Sequence, residues 1–339
     1  MSVVPTGSVV GADTDQLRNL ARQLQQMAST LADRTTDLRK SMEALGSSWS
    51  GQSRNRGVAL WEQTMPRCYG SVEILLRRSQ QLIELAAKLD EAGARFGDQA
   101  DTMCVDLPDP KTTGNYSYER QDGVLFVDGI SPDDIQQRGL GDCYFLAALA
   151  SIARQSPDTL RKNITYDGNQ TYTVTLYDPS GKPVQVKVDS DIPVDANGNP
   201  VYAQLAGGGS ELWVALYEKA YAQYRTDYTE VDKGGLPGSA AQTITGRPAD
   251  ILDRNTVTID QLYQHFVDGD ALTVGIFEND LNKQGTLPPG IHGNHAYSIV
   301  GVDPVKGTVQ LRNPWGFDHP QEMSIDEFRK YCGYVAANP

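Results

Sequence analysis

No run of about 18 apolar residues occurs in the chain, which excludes an ordinary membrane-spanning helix. The start, MSVVPTGSVVGADTD, lacks a basic stretch followed by a long apolar one, so no cleavable secretory signal is expected. Positive charge is in deficit. With 30 Lys and Arg against 43 Asp and Glu, the formal net charge of −13 argues against the basic stripe that a nucleic-acid partner needs. Cysteine is scarce: Cys68, Cys104, Cys143 and Cys332 stand far apart with no CxxC pair, which disfavours a zinc site and leaves the redox compartment open. Histidine is scarcer still, with 4 residues to weigh as bases or metal ligands.

What is present fills two or three folding units, given 339 residues with 39% hydrophobic and 8% aromatic content. The charge is uneven. Residues 1–104 hold 12 basic and 12 acidic side chains, so the rest carries the whole −13, and a boundary is expected near residue 104. Within the first part, Leu17, Leu24, Leu31, Leu38 and Leu45 recur every seven residues, the apolar seam of a long helix starting near Asp13. The pattern stops at GSSWSGQS and resumes through Trp61, Cys68, Leu75, Leu82, Leu89 and Phe96, with Pro66 expected to kink or break it. Two long helices around a short turn predict an antiparallel hairpin over 1–104. Cys68 falls on the seam as a small hydrophobe; whether it pairs with Cys104 stays open.

Residues 105–122, VDLPDPKTTGNYSYERQD, are rich in Pro, Asp and Thr without apolar period and are expected to form a linker. Beyond it, TYTVTLYDPSGKPVQVKVD alternates across a turn and predicts a β-hairpin, and SELWVALYEKAYAQYR has helical spacing. From residue 255 strands dominate: ALTVGIF, HAYSIVGVD and TVQLRNP. The prediction is an α+β fold with a helical lobe over 123–240 and a β-rich lobe over 241–339.

The chemistry gathers on QRGLGDCYFLAALASIARQ, where an apolar helix begins on Cys143. A nucleophilic cysteine reacts as thiolate, and a helix N-terminus and an adjacent imidazolium both favour that form. Gly139 and Gly141 loosen the preceding chain, Asp142 is expected to cap the helix, and Cys143 N–H with the Gln137 amide could hold an oxyanion. Taken alone, a cysteine before an apolar helix is more often core packing, so partners are required. His295 opens a strand and would be held rigidly as a base, whereas His265 and His319 look structural. His292 and His295 could suggest a metal pair, but no third ligand accompanies them. Asn313 follows TVQLR and could accept the second imidazole proton, shielded by Trp315.

SSWSG between two N-terminal helices resembles the WXG-type helical hairpins exported by type VII secretion systems, and Tyr69-x-x-x-Glu73 fits their export pattern. FVDGISPDDIQQRGLGDCYFLAALASIA, ELWVALYEKAYAQY, GNHAYSIVGVD and LRNPWG resemble, in order and spacing, the protease core of the calpain family. That resemblance implies a two-lobed papain-like fold, catalytic roles for Cys143, His295 and Asn313, and Gln137 in the oxyanion hole. It also implies a calcium site on Val127, Gly129, Asp134 and Glu211; a cleft preassembled without calcium is the alternative, and no cofactor is required. Tyr144 stands where the family usually has Trp, and Arg247 where it has Gly.

The expectation is therefore a cysteine endopeptidase acting on protein or peptide substrates. Its hairpin would engage secretion machinery or a helical partner, and the chain would be cytoplasmic before export as a secreted bacterial effector. The hairpin could also cover or position the cleft as a prodomain would. A Cys-His-Asn deamidase or transamidase and a non-enzymatic interaction module are the rival readings.

Overall fold

The computed structural model describes residues 14–46, 58, 60–61, 64–65, 67–85, 105–127, 129–277 and 287–339. The chain divides into two compact units, Met1–Thr102 and Met103–Pro339.

In the first unit, α1 spans Thr14–Gly46 and residues 67–85 form a second helix, α2. The buried line of α1 runs through Ala21, Ala28 and Thr35, with Leu17, Leu24 and Leu31 half-buried beside it. Leu38, expected on the seam, is 51% exposed. In α2, Ser79 is buried, and Cys68, Val72, Leu75 and Leu82 are half-buried. The two buried hydroxyls are satisfied within their own helices, Thr35 Oγ1 by Leu31 O at 2.6 Å and Ser79 Oγ by Leu76 O at 2.8 Å. The GSSWSGQS turn after its Gly46, together with Asp13, Pro66, Leu89, Phe96 and Cys104, lies outside the described residues.

The second unit is built around α3 (Cys143–Gln155), buried at every position from Tyr144 to Ala153. A helix apolar on all sides must be enclosed. On one side it meets α4 (Pro157–Asn163), α6 (Trp213–Tyr224) and α8 (Pro237–Thr245), with the Phe145 and Tyr221 rings stacked at 4.0 Å. Single-turn helices, α5 (Ala206–Gly209) and α7 (Tyr228–Val231), flank α6 in the chain. On the other it lies on a six-stranded antiparallel sheet, where Ser151 Oγ donates to Leu272 O at 2.8 Å. The strands of that sheet are β6 (Asp250–Leu252), β7 (Ala271–Ile276), β8 (His295–Asp303), β9 (Thr308–Arg312), β10 (Met323–Ser324) and β11 (Tyr334–Asn338). They stand in the order β10-β9-β8-β7-β11-β6. The far face carries its own core of Leu262, Tyr297, Ile299, Leu311 and Phe328, closed by α9 (Ile259–Asp268) and α10 (Ile325–Tyr331). The expected hairpin is present as β3 (Thr171–Tyr177) against β4 (Pro183–Asp189), with β2 (Ile164–Gly168) beside β3.

Residues 105–120 are not a free spacer. The strand β1 (Ser117–Arg120) pairs with β5 (Asp191–Val194), Leu107 N–H donates to Asp189 at 2.7 Å, and Tyr228 N–H donates to Lys111 O at 3.0 Å. Lys219, wholly buried on α6, binds Asp109 and Asp189, each at 2.6 Å, and Asp191 O at 2.7 Å. A buried ammonium must be paired. The polar composition that suggested a linker supplies that pairing instead.

Candidate active site

Cys143 opens α3. The first bonds of the turn run from Phe145 N–H and Leu146 N–H to Asp142 O, at 2.8 and 3.1 Å. The N–H groups of Cys143 and Tyr144 therefore precede the ladder, as in any helix start, and with Ala296 N–H they face the thiol. Those donors favour thiolate, but burial outweighs them and pushes the thiol up to about 11. The helix start alone does not supply the expected activation. Nor do Gly139 and Gly141 loosen the chain. A Cβ on Gly139 would stand 2.9 Å from Val201 O, and one on Gly141 would stand 2.8 Å from Asp232 O, so both are there for close approach. Asp142 makes no side-chain capping bond; its carboxyl turns inward and is fully buried.

The sheet brings His295 and Asn313 together. β7–β8 pairing puts His295 opposite Ile276, and β8–β9 pairing puts Ser298 opposite Arg312. One residue further on, Asn313 falls opposite Tyr297, on the face that His295 shares by the alternation of a strand. His295 Nε2 lies 2.9 Å from Asn313 Oδ1. The amide's orientation follows from its neighbours: Oδ1 also accepts from Trp315 N–H at 3.0 Å, and Nδ2 donates to Asp318 O at 3.2 Å. Since Oδ1 can only accept, the neutral ring carries its proton on Nε2 and leaves Nδ1 as the basic nitrogen. Trp315 covers this bond, its ring 4.6 Å from that of His295. Burial lowers the imidazole to about 4, against the raising influence of Asn313.

Cys143 and His295 line one cavity of about 410 Å³ with Tyr144, Gly235, Phe277 and Asn294. Thiol and imidazole are both neutral at neutral pH here, and no hydrogen bond joins them among the described residues. Gln137 lies outside the cavity wall. Its Nε2 donates to Leu140 O at 2.7 Å, and its backbone N–H donates to Pro314 O at 2.9 Å, tying the loop before Cys143 to the loop after β9. Sequence reasoning missed two supports. His319 Nδ1 accepts from Asn313 N–H at 3.1 Å, and Asp318, at φ 51°, turns its carbonyl to the Asn313 amide. His292 belongs to this shell rather than to a metal pair, with Nε2 2.8 Å from Asp318 Oδ2. An Asp after a tight turn and a His one residue further carry no sequence signal that distinguishes them from loop residues.

Of the four residues that resemblance assigns to calcium, Val127 and Glu211 are bonded to each other, and Asp134 is bonded to Trp213, two residues after Glu211. Glu211 Oε1 accepts from Val127 N–H at 3.0 Å, and Asp134 Oδ2 accepts from Ser131 N–H at 2.7 Å and Trp213 Nε1–H at 3.2 Å. Gly129 has a φ of 112° that favours glycine. Two carboxylates and two carbonyls fit a hard divalent cation in kind, although N–H groups already neutralise both carboxylates in this arrangement. In a second acidic cluster, Asp106, Asp189 and Asp191, Lys219 pairs with Asp189 and Arg120 with Asp191.

Sequence comparison places residues 98–324 within the calpain family cysteine protease model, and residues 10–99 within that of proteins of 100 residues with WXG. The chain belongs to the calpain family. Similar proteins include a calpain of Schistosoma mansoni, 30% identical over 221 residues (58% of this chain, 27% of that protein). A calpain-type cysteine protease of Arabidopsis thaliana is 33% identical over 224 residues, 61% of this chain and 10% of that protein. A calpain of Caenorhabditis elegans is 31% identical over 209 residues, 57% of this chain and 28% of that protein. The chain thus spans under a third of the length of each of these relatives.

Proposed function

We propose that the second unit is a papain-like cysteine endopeptidase whose helical lobe, residues 123–240, carries Cys143 and whose β-rich lobe, residues 241–339, carries His295 and Asn313. The observation that supports it most is the 2.9 Å bond between His295 Nε2 and an amide oxygen, which leaves Nδ1 free to take a proton at the cavity that Cys143 lines. The thiol proton passes to Nδ1 as sulfur attacks the scissile carbonyl. Because thiol and ring start neutral and apart, this transfer needs the closer approach that a bound substrate brings. Cys143 N–H stabilises the oxyanion, joined by the Gln137 amide once that side chain turns from Leu140 O toward the cavity, and the imidazolium returns its proton to the leaving amine. Water, deprotonated by the same ring, then hydrolyses the thioester, releasing the acid and restoring the thiol. A calcium ion, if bound, would be held by Val127, Gly129, Asp134 and Glu211, and would fix the segment before α3 against the start of α6.

The first unit, by its match to WXG proteins, is read as a helical hairpin that directs type VII export or docks on a helical partner. Removing residues 1–104 should leave a tagged chain inside the producing cell. The protease reading is tested with a quenched fluorescent peptide, wild type against Cys143→Ala, each with calcium or chelator. Cleavage by wild type alone is expected; cleavage unchanged in Cys143→Ala would sink it.

A further inference from the structure

Directly behind Cys143 lie two carboxyl groups that the mechanism above does not use. Asp142 is 0% and Glu218 1% exposed, and their carboxyls lie close enough to act on each other. Glu218 receives Ala203 N–H on both oxygens, at 3.0 and 3.2 Å. No hydrogen-bond donor reaches either oxygen of Asp142 among the described residues, although the Gln137 side chain lies near enough to favour its charge. Gln137 Oε1 and the Tyr228 hydroxyl, both buried, are likewise without partners among the described residues. Two ionised carboxylates side by side out of water repel and offer no donor, whereas one proton between them would supply the partner that the Asp142 oxygens lack.

The pair joins three parts of the site. Asp142 supplies the carbonyl that starts α3, its side chain faces Gln137, and Glu218 belongs to α6. We propose that Asp142 and Glu218 are positioning residues: one proton shared by their carboxyls holds the 137–143 turn against α6 and limits negative charge beside the Cys143 sulfur. This rests on reading Cys143 as the nucleophile and Gln137 as an oxyanion donor. Burial raises both carboxyls, Asp142 to about 7, and charge on Asp142 disfavours the thiolate. The groups facing the pair are Cys143, Tyr144, Tyr228 and Asp232, with Tyr118 and Tyr202 toward Glu218, all neutral or acidic. Raised carboxyls favour the folded site at low pH and lose that contribution as pH rises through the pair's ionisation.

The test uses the full chain with Asp142→Asn and Glu218→Gln, following Cys143 alkylation by iodoacetamide and peptide hydrolysis against pH. Either amide supplies the N–H that replaces the shared proton, so both variants should keep activity at acidic pH. Asp142→Asn should move the alkylation midpoint down by about one pH unit, a roughly tenfold faster reaction at fixed pH. Glu218→Gln should leave that midpoint high and flatten the change in kcat through neutral pH. Alkylation profiles superimposable on wild type, or an equal loss at every pH, would overturn the proposal. In wild type, infrared spectroscopy should find a protonated carboxyl C=O stretch persisting above the usual carboxylate range; its absence would overturn it even if neither variant folds. A wild type that alkylates but hydrolyses no peptide would defeat the protease reading while the alkylation profiles still decide the role of the pair.

Discussion

Acidification should reveal how firmly the fold holds His295 uncharged. The ring is 7% exposed and its value falls from an ordinary 6.5 to about 4. Between those two values the unfolded chain binds a proton that the folded one refuses, so stability is complete above the unfolded value and declines as pH falls toward the folded one. At about 1.4 kcal/mol per pH unit, the gap corresponds to about 3 kcal/mol lost by pH 4. Other carboxyls titrate over the same range, so the decisive quantity is the difference between wild type and His295→Gln, which keeps a polar group near Asn313 without the titration. Urea unfolding of both proteins, followed by near-ultraviolet circular dichroism between pH 4 and 7, measures it. The wild type should lose stability relative to the variant by about 3 kcal/mol across the window. A constant difference would mean that the imidazole is not held neutral by burial, and the direction of proton transfer argued for the site would fail with it.

Asn313→Ala frees the ring to rotate and exchange tautomers; kcat/KM should drop about tenfold to a hundredfold, part of the roughly 10²–10⁴-fold that a positioned base supplies, as steady-state kinetics would measure. Asp109→Ala leaves Lys219 with one carboxylate fewer, and denaturant midpoints should record a loss of about 1–3 kcal/mol in the second unit alone. Gly235→Ala puts a methyl 2.6 Å from the Tyr144 ring and strains the Tyr144–Val231 bond at the cavity wall. Its expected cost is about 1–3 kcal/mol with a raised KM, and unchanged kinetics would show that Tyr144 does not shape the substrate groove.

Much of this geometry is legible in the sequence because it is periodic. HAYSIVGVD and TVQLR alternate as paired strands, so a histidine opening one and an asparagine ending the other fall on the same face of the sheet. The apolar run after Cys143 announces an enclosed helix for the same reason. What stayed hidden depends on partners far along the chain. An aspartate before a helix usually caps it, and nothing near Asp142 signals that Glu218, 76 positions later, will draw its carboxyl inward. The segment VDLPDPKTTG lacks apolar period because its task is to bring Asp109 and Leu107 N–H to Lys219 and Asp189, and charge pairing leaves no repeat to detect. The prominence of leucines misled in part in α1, where the buried line follows smaller Ala21, Ala28 and Thr35 and the leucines at 17, 24 and 31 are half-buried beside it.

Lys219 gives the second unit an assembly rule. Because one of its two carboxylates arrives from a segment upstream of β1, α6 reaches its final electrostatic balance only after that strip has settled. Nicking the chain ahead of Val105 should therefore sever the two units without harm, whereas nicking just after Asp109 should leave a species that melts earlier and shelters its α6 amides less from hydrogen exchange. Limited proteolysis read by mass spectrometry would tell the two apart.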